Sequence, residues 1–544
     1  MRRKTPAIFV LACVAVCGCS RNDGPSPQSS VNLREDVLAS EQVFHRGNLT
    51  EPTSLDPHKG DGVASSNIQR DLFEGLIIPA PDGSLVPGAA ERWEISPDKK
   101  TYRFFLREDG RWSNGDPVTA ADFVFGLRRS ADPATLSNYS MILSPIENAD
   151  AVINGIQPPE ELGVEAESER VLVIRLKAPT PYFAELLTHS TTYPLHEKSV
   201  SELGRQFARP GNLIGNGAFV LDEWVVQSHI KLSKSPTYWD RDNVRLTSVF
   251  YYPIENLNTE LKQYRAGELD WTDSLPYQQL GWVRENLPDE LQIDQYLGVY
   301  YFGFNTSRAP FRDKPDLRRA LSMAIDREII TGKVTGAGEI PAYNWVPPLP
   351  GYDGQKPAWA SWPVEDRLAE ARRLYAAAGY GPENPLEVEI RYNTSENHKR
   401  ISLAVAAMWK KELGVKTTLI NQEFKVFLDT RTQKKETQVF RAAWIGDYRD
   451  PFNFLEILQS GHGQNDTGYA STRYDELMLR SMMESDVGVR KLNLEEAERV
   501  MLADQPIMPI FFYVNRRVVK PWVRGWKPNL LDFHPSQHFY ILEH

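Results

Sequence analysis

Leu386-Glu387-Val388-Glu389-Ile390-Arg391-Tyr392 alternates apolar and charged side chains, the two-residue period of a strand that lays one face on a core. Before it, Leu368, Ala371, Leu374, Tyr375 and Ala378 recur at helical spacing and stop at Gly379, which predicts an amphipathic helix. After it, Ile401 to Leu413 returns to helical spacing, and Val415, Thr417 and Leu419 alternate again. Helix, strand, helix, strand predicts a parallel βαβ unit. Thr437 to Trp444 and Ile507 to Val514 are also strand-like, the second dense in aromatics, so the C-terminal half reads as an α/β domain.

Residues 74 to 197 read differently. Short mixed strands such as Thr101 to Leu106, the turn Asp109-Gly110 and a helix from Ala120 to Arg128 entered through Thr119 predict a separate α+β region. Gly211, Gly215 and Gly217 superficially resemble a nucleotide loop. Their order is GxxxGxG, however, and Ala218-Phe219-Val220-Leu221 follows, so they predict a turn before a strand.

At the N-terminus, Arg2, Arg3 and Lys4 precede an uncharged apolar run from Ala7 to Val16, the pattern of a secretory signal and too short to span a bilayer. The three cysteines, Cys13, Cys17 and Cys19, all lie in or just after that run, so no disulfide is expected in the body of the protein. Val16-Cys17-Gly18-Cys19 resembles a lipoprotein processing site, with residues 1–19 ending at an acylated Cys19; the alternative is three incidental small apolar residues. Residues 20–40, centred on Gly24-Pro25-Ser26-Pro27-Gln28-Ser29-Ser30, read as a flexible tether. The 544 residues carry a formal charge of −10, and loss of Arg2, Arg3 and Lys4 lowers it to −13, which argues against a nucleic-acid partner. With 41% hydrophobic and 25% charged residues, the chain is globular material for two or three domains.

No GxSxG, HExxH or GxxxxGK[ST] pattern occurs, and the body offers no cysteine nucleophile, so catalysis has no visible owner. The ten histidines show no pair at metal-ligand spacing, and no cofactor or metal is expected. What stands out is Arg441-Ala442-Ala443-Trp444-Ile445-Gly446-Asp447-Tyr448-Arg449-Asp450-Pro451. As a strand it would set Arg441, Ala443, Ile445 and Asp447 on one face. An acid and a base about 20 Å apart could meet the two ends of a zwitterion of three to five residues, which spans about 10 to 18 Å extended. The plainer reading makes Asp447 a turn cap before Pro451 and Arg441 a solvated strand residue.

Those residues resemble the signature of the periplasmic oligopeptide-binding proteins of ABC importers. The likeness extends through Thr53-Ser54-Leu55-Asp56-Pro57-His58-Lys59, Asp71-Leu72-Phe73-Glu74-Gly75-Leu76, Asn114-Gly115-Asp116-Pro117-Val118-Thr119, and Tyr392-Asn393-Thr394-Ser395-Glu396-Asn397-His398-Lys399. Asn421-Gln422-Glu423-Phe424-Lys425 and Tyr513-Val514-Asn515 complete it. The resemblance implies an α/β, two-lobed periplasmic binding protein fold (type II, three-domain, hinged). One lobe would be split over 41–73, 198–300 and 515–544, with an inserted α+β domain at 74–197 and a second α/β lobe at 301–514. The crossings would lie near Tyr300 to Phe304 and Phe511 to Val514.

By the same resemblance, Asp447 pairs with a peptide's α-ammonium, and Arg431, Arg441 and His398 meet its carboxylate at different ligand lengths. Asn393 lies beside them. Asp61 stands where the family has a glutamate near the second ligand side chain, Val63 where a valine contributes backbone bonds, and Tyr139 and Trp444 line the pocket. Phe424, Ala443 and Ile445 replace a tryptophan, a glycine and a cysteine along the groove, and an extra residue lies between Arg431 and Arg441. The implied function is capture of peptides of about two to five residues for delivery to ABC permease subunits, by a monomer held at the cell envelope through its lipid alone. A murein tripeptide is an alternative ligand; a secreted peptidase and a receptor for a non-peptide solute are the readings from other classes.

Overall fold

A computed structural model describes residues 37–60 and 62–544. The signal segment, Cys19, most of the tether and Asp61 lie outside the described residues.

The predicted βαβ unit is present. The strands Glu387–Asn393 and Lys416–Gln422 pair in parallel, with Ile390 opposite Leu419, and the helix Glu396–Leu413 joins them. Ser395 starts that helix by accepting a hydrogen bond from the His398 amide, and Gly414 ends it at φ 73°. The preceding helix, Val364–Ala377, is followed by Gly379 at φ 93°, a conformation glycine adopts without a Cβ penalty.

This unit is one edge of a six-stranded mixed sheet, in the order Ile340–Pro341, Ile507–Val518, Leu291–Phe304, Val439–Ile445, Glu387–Asn393, Lys416–Gln422. Tyr300, Phe302 and Phe304 from its long central strand pack with Ile390, Trp409 and Phe511. The other ends of the two long strands pack against Leu261, Tyr264 and Val283. The boundaries expected at 300/301 and 514/515 therefore fall inside continuous strands, because the backbone ladder carries the chain straight from one core into the other.

Two further four-stranded sheets complete the frame. One pairs Val43–Gly47 in parallel with Ser248–Tyr252 and continues through His229–Lys234 to Phe219–Val225. The other is antiparallel and contains Thr101–Leu106 as predicted. The helix Ala120–Ala131 beside it opens with a capping box formed by Thr119 and Asp122.

The strand Val439–Ile445 stops short of Asp447, so Arg441, Ala443, Ile445 and Asp447 do not share one strand face as expected. At Gly446 the amide donates to the Leu297 carbonyl at 2.7 Å, and the next amide, that of Asp447, turns to the Asn453 side chain at 3.0 Å. The chain leaves the sheet there because a side chain, not a neighbouring strand, takes its hydrogen bond.

The GxxxGxG segment is a turn before the strand Phe219–Val225. Gly217 donates to the Leu72 carbonyl at 3.0 Å, and a Cβ on it would lie 2.5 Å from the Asp71 carbonyl oxygen. Gly217→Ala is expected to lower stability by about 1–3 kcal/mol through this backbone clash, read as an earlier thermal unfolding transition by circular dichroism.

Candidate functional site

A cavity of about 620 Å³ lies between the helix Gly62–Leu72, the loop around Tyr139, the segment after the strand Val439–Ile445, and the C-terminal segment at Asp532 and Phe533. Its volume suits a small ligand. Of the residues expected from sequence, Val63, Tyr139, Trp444, Ile445 and Asp447 line it.

Asp447 is held by a local network. The Asn453 side-chain oxygen accepts from the Asp447 amide at 3.0 Å and from the Trp444 indole at 3.2 Å. Burial pushes the Asp447 carboxyl up to about 6, against a lowering hydrogen bond from Asn453. No cation pairs with Asp447 among the described residues. Glu456, which the sequence reading did not single out, lines the same cavity and accepts from the Tyr448 hydroxyl at 2.9 Å. Burial raises its carboxyl to about 8. Its only early signal is the polar side chain at the end of Phe452-Asn453-Phe454-Leu455-Glu456, in an otherwise apolar segment.

The basic residues form a second, separate cluster farther along the strand. Arg441 donates to the Asn393 side-chain oxygen at 3.3 Å and to the Tyr513 hydroxyl at 3.1 Å, and its guanidinium lies 4.9 Å from the Tyr300 ring centre. His398 Nδ1 is 3.4 Å from the Tyr300 hydroxyl. Burial, and then the charge of Arg441, lowers the His398 imidazole to about 3. The ring is neutral near pH 7, so His398 offers a hydrogen bond in place of the cationic charge expected of it. Ala443 sits on the strand between the two clusters, opposite Tyr300.

Arg441, His398, Asn393 and Ala443 do not line the cavity of about 620 Å³, and two further expected residues join neither group. Arg431, on the helix Phe424–Gln433, is ion-paired with Asp466 at 2.6 Å. Phe424, at the start of that helix, is 53% exposed and does not line the cavity. Sequence reasoning misses Tyr300 and Tyr513 because each acquires its role from a partner distant in sequence, and Asn453 because its role depends on the loop turning its side chain back onto Asp447 and Trp444.

Chemically the arrangement can hold a dipole: an uncompensated carboxylate at one end, a guanidinium with hydroxyl and amide supports at the other. Among the described residues no group of three metal-ligating side chains gathers. Because the folded Asp447 carboxyl titrates above its ordinary value, its charge destabilises the unliganded fold above pH 6, and the penalty fades as pH falls towards 4. Unliganded Asp447→Asn is therefore expected to be more stable than the parent at pH 7.5 by about 1–3 kcal/mol, allowing for water in the cavity. The gap should close by pH 4 in denaturant titrations at both pH values.

Residues 84–466 match the family of bacterial extracellular solute-binding proteins, family 5 (middle). The chain is 41% identical over 527 residues to the periplasmic oligopeptide-binding protein OppA of Escherichia coli K12, covering 95% of this chain and 96% of that protein. It is 39% identical over 512 residues to the periplasmic murein peptide-binding protein MppA of the same organism, covering 93% and 95%. The solved E. coli murein tripeptide binding protein MppA superposes with a TM-score of 0.85 at 39% identity, over 93% of this chain and 100% of that one. Haemophilus influenzae OppA in complex with RPPGFSPFR superposes with a TM-score of 0.82 at 39% identity, again over 93% and 100%. Matched along most of its length in sequence and in fold, the chain belongs to the bacterial extracellular solute-binding proteins of family 5.

Proposed function

We propose that this chain is an extracytoplasmic receptor that encloses short peptides and delivers them to an ABC-type importer. The observation that carries the reading is Asp447, a buried carboxylate facing a cavity with no cation beside it among the described residues. A peptide α-ammonium supplies the missing charge. The relatives named as oligopeptide- and murein-peptide-binding proteins, matched over more than nine-tenths of the chain, support the same ligand class.

In this reading Arg441, supported by Asn393 and Tyr513, receives the carboxylate end, with the neutral His398 adding a hydrogen bond. Arg431 takes part only for ligands that draw it from Asp466. The lobe formed by 41–73, 198–300 and 515–544 carries Val63 and Asp61, and the lobe 301–514 carries Asp447 and Arg441. The inserted domain 74–197 contributes Tyr139 and also touches the second lobe: Tyr182 stacks on Tyr448 at 4.8 Å, and Arg449 pairs with Glu185 at 2.6 Å. These contacts would break when the lobes hinge apart to release ligand. The protein acts as a monomer, anchored at the envelope through acylated Cys19.

Asp447→Ala is expected to weaken trialanine binding by about 200- to 5,000-fold, on the order of 3 to 5 kcal/mol for an ammonium left unpaired in a closed site. Isothermal titration calorimetry at pH 7.5 measures it, and unchanged affinity with an intact fold sinks the mechanism. Mass spectrometry of ligand released from purified protein separates general peptides from a single murein peptide or a non-peptide solute. Cys19→Ala should move the protein from the membrane fraction to the soluble fraction; continued sedimentation with membranes removes the lipid anchor.

A further inference from the structure

Arg70 lies in the last turn of the helix Gly62–Leu72 and lines the same cavity as Asp447, on the wall built by that helix and the C-terminal segment. Its guanidinium stacks on the Phe533 ring at 3.6 Å. Its Nε is sealed from solvent without an acceptor, and the side chain makes no hydrogen bond or ion pair among the described residues. Of the five donors of a guanidinium, the one on Nε is thus buried unmet, which is costly.

Other buried arginines also leave Nε without an acceptor, Arg490 among them, but Arg327, Arg318 and Arg490 find acceptors for other guanidinium nitrogens or for Nε itself. Arg327 donates to the carbonyls of Ala342, Pro509, Ser322 and Ile325. Arg318 donates to those of Phe311, Asp504 and Gln505. Arg490 makes two bonds to Asp450, at 2.8 and 2.9 Å.

Among the described residues, the chain neighbour Asp71 and the cavity residue Asp532 are committed elsewhere. Asp71 accepts from the Tyr251 hydroxyl at 2.6 Å and the Ser536 amide at 2.8 Å. Asp532 is paired with Arg517 at 2.5 Å and His534 at 2.8 Å. His189, also on the cavity wall, is kept neutral by burial and by the charge of Arg70 itself. Phe533 orients the guanidinium plane while leaving its edges free, as a stacked arginine requires if it is to grip a planar anion.

We propose that Arg70 is an anion subsite that takes a ligand carboxylate lying close to the ligand's α-ammonium. The inference rests on the peptide reading above and deepens it: a third charge contact, distinct from the carboxylate end near Arg441, selects among peptides. Two sources carry this chemistry, an acidic side chain early in a longer peptide and the C-terminal carboxylate of a dipeptide.

The test is calorimetry on the parent protein and on Arg70→Met, which keeps the apolar stem over Phe533. The ligands are Ala-Glu-Ala against Ala-Gln-Ala, and Ala-Ala against Ala-Ala-amide. Expected for the parent is a preference of about tenfold or more for the carboxylate member of at least one pair, falling to about onefold in Arg70→Met. Ala-Gln-Ala affinity should change less than about threefold between the proteins. Preference in the first pair assigns a side-chain carboxylate, and preference in the second a dipeptide terminus. Arg70→Lys, which keeps the charge without the planar fork, should restore part of the preference. Equal affinities within both pairs in the parent overturn the subsite without any variant, as does a preference that survives Arg70→Met. If the parent binds none of the four ligands, the peptide reading itself fails and this inference with it.

Discussion

The ladder between the strands Leu291–Phe304 and Val439–Ile445 is the constraint on which the site depends. Seven residue pairs run from Gly298 opposite Ile445 to Phe304 opposite Val439. The last hydrogen bond at the open end runs from the Gly446 amide to the Leu297 carbonyl, where a Cβ would lie 2.7 Å from Leu297 Cδ2 and force that side chain to shift. Beyond that point the backbone must find new partners, and Asn453 supplies them. The acid at position 447 is thereby carried off the sheet and into the cavity, while Arg441 stays within the sheet among aromatic side chains. One strand thus sets the spacing between two opposite charges.

That separation has an electrostatic cost which the unliganded protein retains. Asp447 and Glu456 sit in a low-dielectric wall supported by amide and hydroxyl donors and by no cation among the described residues, so both carboxyls are pushed upward. At the other end, burial and then the charge of Arg441 suppress protonation of His398. In the proposed reading, a zwitterion entering between them would meet groups already oriented. Binding then neutralises charges that folding left uncompensated, which is how a stable scaffold can keep affinity in reserve for its ligand.

The scaffold meets its own buried charges in another way. Glu498 accepts from the backbone amides of Trp345, Val346 and Gln355 and from the Tyr352 hydroxyl. Arg327 and Arg318 are surrounded by carbonyl oxygens. These structural ions each meet several partners, whereas Asp447 and Arg70 on the cavity wall have no counter-ion among the described residues. In the proposed reading, the contrast separates residues that hold the fold from residues that would meet a ligand.

Much of the C-terminal architecture was legible in the sequence, since hydrophobic period reports which face of a helix or strand is buried. The alternation from Leu386 to Tyr392, the helical spacing from Ile401 to Leu413 and the stop at Gly379 correspond to elements in the structure. Arg441 and Asp447 stand out in the sequence as a base and an acid on one stretch of chain, but the shared strand face read for them ends at Ile445. The tertiary structure alone decided which charges are free. Arg431 looked as available as Arg441 until Asp466, 35 residues later, folded against it. His398 looked cationic until burial beside Arg441 neutralised it. Arg70 carried no local signal, and Glu456 only that of a charged side chain ending a largely apolar segment. A residue's charge state and its vacancy depend on what lies across the fold, and no spacing along the chain encodes those neighbours.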